Sequence, residues 1–143
     1  MLVSQIIKDK GGDVFTVSPD DTVAVAAGHL RERKIGALVV RSADGKVAGI
    51  LSERDIVWGL AQHGVAALDK PVSSCMTKDV ILAQPNETVD ELMGRMTDKR
   101  VRHLPVARDG ELLGIVSIGD LVKHKIGEIE AEAQNLKDYI SAG

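Results

Sequence analysis

Aromatic side chains are nearly absent from this chain. Phe15, Trp58 and Tyr139 are the three, 2% of 143 residues. A core must therefore be built from Val, Ile, Leu and Ala, and a row of rings for stacking single-stranded nucleic acid is not available. Cysteine is scarcer still. The one thiol, Cys75, has no partner for an internal disulfide, which fits a reducing cytoplasm. Long basic runs are missing and the formal charge is −3, which argues against nucleic acid as a partner. No apolar run reaches the roughly 20 residues of a membrane span. The N-terminus, Met1-Leu2-Val3-Ser4-Gln5, lacks a basic stretch followed by an apolar one. The expectation is a soluble cytoplasmic protein with no membrane partner.

Catalytic signatures are missing as well. There is no P-loop, and His29, His63 and His124 have no i,i+4 partners that would make a metal set. Cys75 has no histidine at a spacing that suggests a nucleophile–base pair, and Glu53 and Asp98 do not form an acid–base pair. The chain is expected not to be an enzyme and to hold no metal or catalytic cofactor. Trp58 falls on an apolar helix face, as core or interface.

What is present is a globular composition, 44% hydrophobic, written twice. The stretch from Asp13 to about Leu60 aligns with that from Asp79 to about Lys125, with one gap in a turn. Matched pairs include Pro19/Pro85, Thr22/Thr88, Gly28/Gly94, Leu38/Leu104, Gly49/Gly114, Ser52/Ser117 and Asp55/Asp120. Each copy opens with a β-prone stretch, residues 14–17 or 80–82. A proline and acidic or amide residues then announce a helix. Its apolar face is Val23, Ala26, Ala27 and Leu30, or Val89, Leu92, Met93 and Met96. Two strands follow around Asp44-Gly45 or Asp109-Gly110, a strong hairpin signal. A last helix opens after Ser52 and after Ser117. The fold class is α/β (α+β): two β-α-β-β-α repeats packed with pseudo-twofold symmetry, plus a long C-terminal helix. The expected divisions are 1–68, the first repeat with an N-terminal helix; 69–126, linker and second repeat; and 127–143, the helix extension. A copy of about fifty residues buries its faces poorly alone, and two copies packed about a pseudo-twofold axis solve that.

The same phrase closes each second strand. It is Gly49-Ile50-Leu51-Ser52-Glu53-Arg54-Asp55 and Gly114-Ile115-Val116-Ser117-Ile118-Gly119-Asp120. Ser-x-x-Asp reads first as a capping box, the serine at the N-cap and the acid at N3. It also suits a nucleotide. A helix N-terminus offers free N–H groups to phosphate, and a carboxylate one turn in can accept from both ribose hydroxyls.

With the strand Arg102-His103-Leu104-Pro105-Val106, these repeats resemble tandem CBS-domain proteins over nearly the whole chain. The resemblance implies two clefts that take AMP, ADP, ATP, NAD(H) or S-adenosylmethionine, AMP first. One cleft would use Ile115, Ser117 and Asp120 with Phe15, Ile35 and Gly36, and Lys10 and Gly11 at its entrance. The other would use Ile50, Ser52, Arg54 and Asp55 with Thr77, Ile81, Val101 and Arg102. Arg100, Arg102 and His103 form a cationic cluster that is either a solvated surface or, as the resemblance favours, a phosphate contact. The first copy has Gly36-Ala37 where the second has Arg102-His103, so the clefts are expected to differ in ligand preference.

The last helix runs from about Asp120 to Ile140. Val122, Ile126, Ile129, Ala133, Leu136 and Ile140 recur at alternating spacings of four and three, an a/d seam. It either packs on its own domain or joins a homodimer, which is the expectation. The functional expectation is a nucleotide-sensing regulatory module that recruits a separate effector protein. The alternative is a homodimerisation scaffold whose clefts have no ligand-dependent role.

Overall fold

The computed structural model describes residues 1–11 and 14–142. Helix α1 (Val3–Lys10) leads to strand β1 (Thr16–Val17), helix α2 (Val23–Arg33), strands β2 (Ala37–Arg41) and β3 (Val47–Ser52), and helix α3 (Glu53–His63). Two 3-10 turns, Gly64–Asp69 and Val72–Ser74, form the linker. Helix α4 (Val89–Lys99), strands β4 (His103–Arg108) and β5 (Glu111–Ser117), and helix α5 (Ile118–Ala142) complete the chain.

The local signals act as their chemistry requires. Thr22 and Thr88 cap α2 and α4 by accepting from the N–H groups of Val25 and Glu91, at 3.2 and 3.1 Å. Both helices end on a left-handed residue, Lys34 and Arg100. Each hairpin carries a register shift at the same place, Val40/Arg41 and Val106/Ala107. In the second hairpin Asp109 and Gly110 both have positive φ, as a two-residue turn requires. The first is longer, with the Asp44 carboxylate accepting from the Ser42 hydroxyl and from the Lys46 N–H.

One expected element is smaller than the sequence suggests. Strand β1 pairs parallel to β2, but residues 80–82 form no strand. In their place a single parallel bridge joins Ala83 to Val106. The Val80 N–H is turned back onto the Lys78 carbonyl at 3.0 Å, so it is not offered to a ladder. Only Ala83 keeps both bonds, to Pro105 O and from Ala107 N.

Two cores form, and each borrows from outside its own repeat. Val3 and Ile6 of α1 are fully buried against Val89, Leu92, Leu104, Val116 and Leu121 of the second repeat. Val72 of the linker is fully buried against Val23, Leu38, Val40 and Leu51 of the first. The backbone repeats the exchange. Val3 N and Ser4 N donate to Glu87 O and Pro85 O, while Val72 N and Ser73 N donate to Asp21 O and Pro19 O. In each case the segment preceding one repeat closes the core of the other. Gly49 and Gly114 make room for it. A Cβ on Gly49 would lie 2.7 Å from the Thr77 carbonyl, and one on Gly114 2.6 Å from Ile7 Cδ1. This exchange pins the repeats together.

Candidate ligand-binding clefts

Both Ser-x-x-Asp phrases are capping boxes. Ser52 Oγ accepts from Asp55 N at 3.2 Å and Asp55 Oδ2 accepts from Ser52 N at 2.9 Å. Ser117 and Asp120 repeat this at 3.1 and 2.8 Å. The cap occupies one carboxylate oxygen of each aspartate. The other oxygen has no protein donor among the described residues, so capping and ligand binding are compatible uses of one side chain.

The Asp55 side opens as a cavity of about 340 Å3, within the range of small-molecule sites. Ile50, Ser52, Arg54, Asp55, Thr77, Val101, Arg102 and His103 line it, as the sequence led us to expect. Thr77 is locked there by paired backbone bonds with Ile50, at 2.9 and 3.0 Å. Gly36, assigned by resemblance to the opposite cleft, also borders this cavity, and its carbonyl accepts from Glu53 N at 3.0 Å. Ile81 lies elsewhere, packed on the second core.

Arg100, read from sequence with the cationic cluster, ends α4 on the rim. Two lining residues were not assigned to this cleft, Glu53, which opens α3, and Trp58. Trp58 is neither core nor covered: it is 65% exposed and borders the cavity. Its position three residues after Asp55, on the same helical face, was the available signal. Apolar Ile50 and Val101 thus face a carboxylate, a helix N-terminus and the arginines 54, 100 and 102.

The Asp120 side is differently furnished. Lys10 Nζ donates to Asp120 Oδ2 and to the Ile115 carbonyl, each at 2.8 Å. Gly11 follows it with φ 88°, a conformation that suits glycine. Phe15 and Ile35 pack against the first core. The Phe15 ring carries the Arg33 guanidinium 3.6 Å above its centroid and the His29 ring at 4.6 Å. His124 bonds the Asp120 carbonyl and reaches Asp9.

Charge and burial set two titrations. Burial pushes His103 below its ordinary value, and the Lys10 ammonium adds to this. Burial alone would raise Asp120, but the hydrogen bonds from Lys10 and from Ser117 outweigh it and hold the carboxyl low. Both shifts leave the unfolded chain binding more protons than the folded one, so stability is lost as pH falls. The His103 part goes first, below the ordinary histidine value. The Asp120 part follows, below the ordinary carboxylate range. Denaturant unfolding at about pH 7.5 and about pH 5.5 should show lower stability at the acid point, and His103→Gln should flatten that difference. An equal slope in the variant would refute this reading.

Among the described residues no cluster of three or more potential ligands could hold a metal, and no helix is long and apolar enough to cross a membrane. A CBS domain model matches residues 3–61 and again 72–127. The chain belongs to the CBS-domain family. A curated relative, the mitochondrial CBS domain-containing protein CBSX3 of Arabidopsis thaliana, is 35% identical and covers 99% of this chain and 72% of its own. Among solved structures, the CBS-domain protein ATU1752 of Agrobacterium tumefaciens is 50% identical, with a TM-score of 0.84 over 87% of this chain and 92% of its own. The CBS domain pair of protein MJ0100, in complex with 5′-methylthioadenosine and S-adenosyl-L-methionine, is 28% identical. Its TM-score is 0.80 over 90% and 98%. PAE2072 of Pyrobaculum aerophilum, complexed with AMP, is 26% identical, with a TM-score of 0.75 over 84% and 89%. The CBS pair described here thus shares its fold with pairs that bind adenosine compounds.

Proposed function

We propose that this CBS pair is a cytoplasmic regulatory module that binds an adenosine nucleotide, AMP first, with ADP, ATP and NAD(H) as the other candidates. The observation that carries the reading is the Asp55 cavity. It offers a ribose acceptor on Asp55, an apolar wall for a base at Ile50 and Val101, and arginines 54, 100 and 102 for phosphate. The bound adenosine compounds of PAE2072 and MJ0100 support it. A ligand held better by one arrangement of repeats or protomers shifts the population towards it, and that surface is what an effector protein would read.

The reading is tested by thermal shift with AMP, ADP, ATP, NAD, NADH and S-adenosylmethionine, with Asp55→Ala and Asp120→Ala alongside. Binding only to the folded state adds about 2.7 kcal/mol at a hundredfold excess over Kd. A shift that vanishes in one aspartate variant assigns the cleft. No shift with any ligand leaves the dimerisation scaffold.

The dimer belongs to either reading and is itself proposed. After Glu128 every described residue of α5 is exposed, including Ile129 at 54% and Leu136 at 60%. The apolar stripe is therefore not covered by its own domain. Val57 and Leu60 of α3 are exposed as well. A second copy with the same stripe is the simplest cover. Light scattering should give a dimer for the unaltered chain and a monomer for the pair Ile129→Lys and Leu136→Lys. A monomeric unaltered chain, or a dimer indifferent to both lysines, would contradict this.

A further inference from the structure

The wall of the Asp55 cavity holds a histidine that no protein group engages. His103 lines the cavity beside Arg54, Arg100 and Arg102. It is half-buried, and its ring makes no hydrogen bond among the described residues. No fully buried side-chain nitrogen is left unpaired among them, so both ring nitrogens of His103 reach solvent. Gly36 gives the ring its room: a Cβ there would lie 3.3 Å from His103 Nε2. The first repeat has Ala37 at the matching position, so the pseudo-twofold does not supply a second such histidine. We propose that His103 takes up a proton when a phosphate enters the Asp55 cavity, so that acidification strengthens phosphorylated nucleosides over unphosphorylated ones. The proposal rests on the nucleotide-binding reading above.

The charges around the ring set the direction. Without ligand, burial favours the neutral ring, and Lys10 of α1 and the adjoining Arg102 act the same way. Asp120 of α5 and Glu53 of α3 pull towards the charged ring without reversing the outcome. Arg54 and Arg100 add two more positive charges to the cavity wall, against the one carboxylate of Asp55. A phosphate monoester brings between one and two negative charges to that wall. It offsets the arginines and offers an imidazolium a charged acceptor, and both effects favour the protonated ring. An uncharged nucleoside brings neither. The sign then follows from linkage. A group that holds more protons in the complex than in the free protein makes binding tighter as pH falls.

AMP is the probe and adenosine the uncharged control. The ring resonance of His103 in the unaltered chain, assigned through its bonded neighbours, is titrated with pH. Its midpoint should rise by about one pH unit with AMP and should not rise with adenosine. At AMP concentrations that just saturate the unaltered chain, Asp55→Asn should lose most of that rise. Calorimetry measures the consequence. Between about pH 7.5 and about pH 5.5, the AMP affinity of the unaltered chain relative to that of His103→Gln should grow about fivefold. The phosphate of AMP itself titrates at about pH 6 and cancels in that ratio. Thermal melts check that each variant is folded. A midpoint that AMP leaves in place or lowers overturns the proton uptake while the nucleotide reading stands. So does an equal rise with adenosine, or a rise that Asp55→Asn leaves intact. A chain that binds neither AMP nor adenosine overturns the nucleotide reading itself, and the proton uptake with it.

Discussion

Asp55→Asn is expected to lower AMP affinity by roughly thirtyfold or more, about 2 kcal/mol, the worth of hydrogen bonds to a charged acceptor. The free carboxylate oxygen of Asp55, beside the N-terminus of α3, is suited to accept from ribose hydroxyls. Its other oxygen is engaged with Ser52 N at 2.9 Å. The amide of asparagine retains one acceptor for that cap, so the fold should lose little while the ligand loses its anion. Calorimetry separates the effects: affinity should fall steeply with the melting temperature nearly unchanged. Equal affinity in the variant would show that the nucleotide, if bound, does not use this junction.

Ile6→Ala should destabilise the folded chain by about 3 kcal/mol, a drop in Tm of about 10 °C. Ile6 lies in a helix at the extreme N-terminus, where a loosely attached arm would tolerate truncation. Here it is fully buried in the second repeat's core with Leu92, Met96 and Leu121. Removing three carbons leaves a cavity in close-packed surroundings. Loss of a large fraction of the 5–15 kcal/mol typical of a domain would follow from one residue far from that repeat in sequence. Thermal or urea unfolding measures it. A change below about 0.5 kcal/mol would mean that α1 does not close the core as described.

What the sequence made legible followed from local chemistry. Pro19 and Pro85 with the acidic and amide residues after them announce two helix starts, Asp109-Gly110 a hairpin turn, and the paired Ser-x-x-Asp phrases two more helix starts. The spacing of Val89, Leu92 and Met96 marks a buried face, and all three are buried. The doubled motif carried the family, and most of the Asp55 cavity lining with it.

What was not legible depends on contacts across the chain. Val3, Ile6 and Ile7 have a helical spacing, but nothing local says that they face the second repeat. The equivalent linker segment matches them at little beyond Val3/Val72 and Ser4/Ser73, too few for an alignment to register. Residues 80–82 are as β-prone as any strand, and yet the Val80 N–H turns back on Lys78. Lys10 read as a residue at a cleft entrance. Its ion pair with Asp120 spans 110 positions and appears only once α1 is docked. Trp58 looked apolar enough for a core, but lies at the open edge of a cavity.

That position makes the central claim directly measurable. Trp58 is the sole tryptophan and borders the Asp55 cavity. Its fluorescence should change saturably as AMP is added, and the same titration of Asp55→Asn should require roughly thirtyfold more AMP to reach the same change. A signal that stays flat through millimolar AMP in the folded, unaltered protein would contradict a nucleotide site at the Asp55 junction.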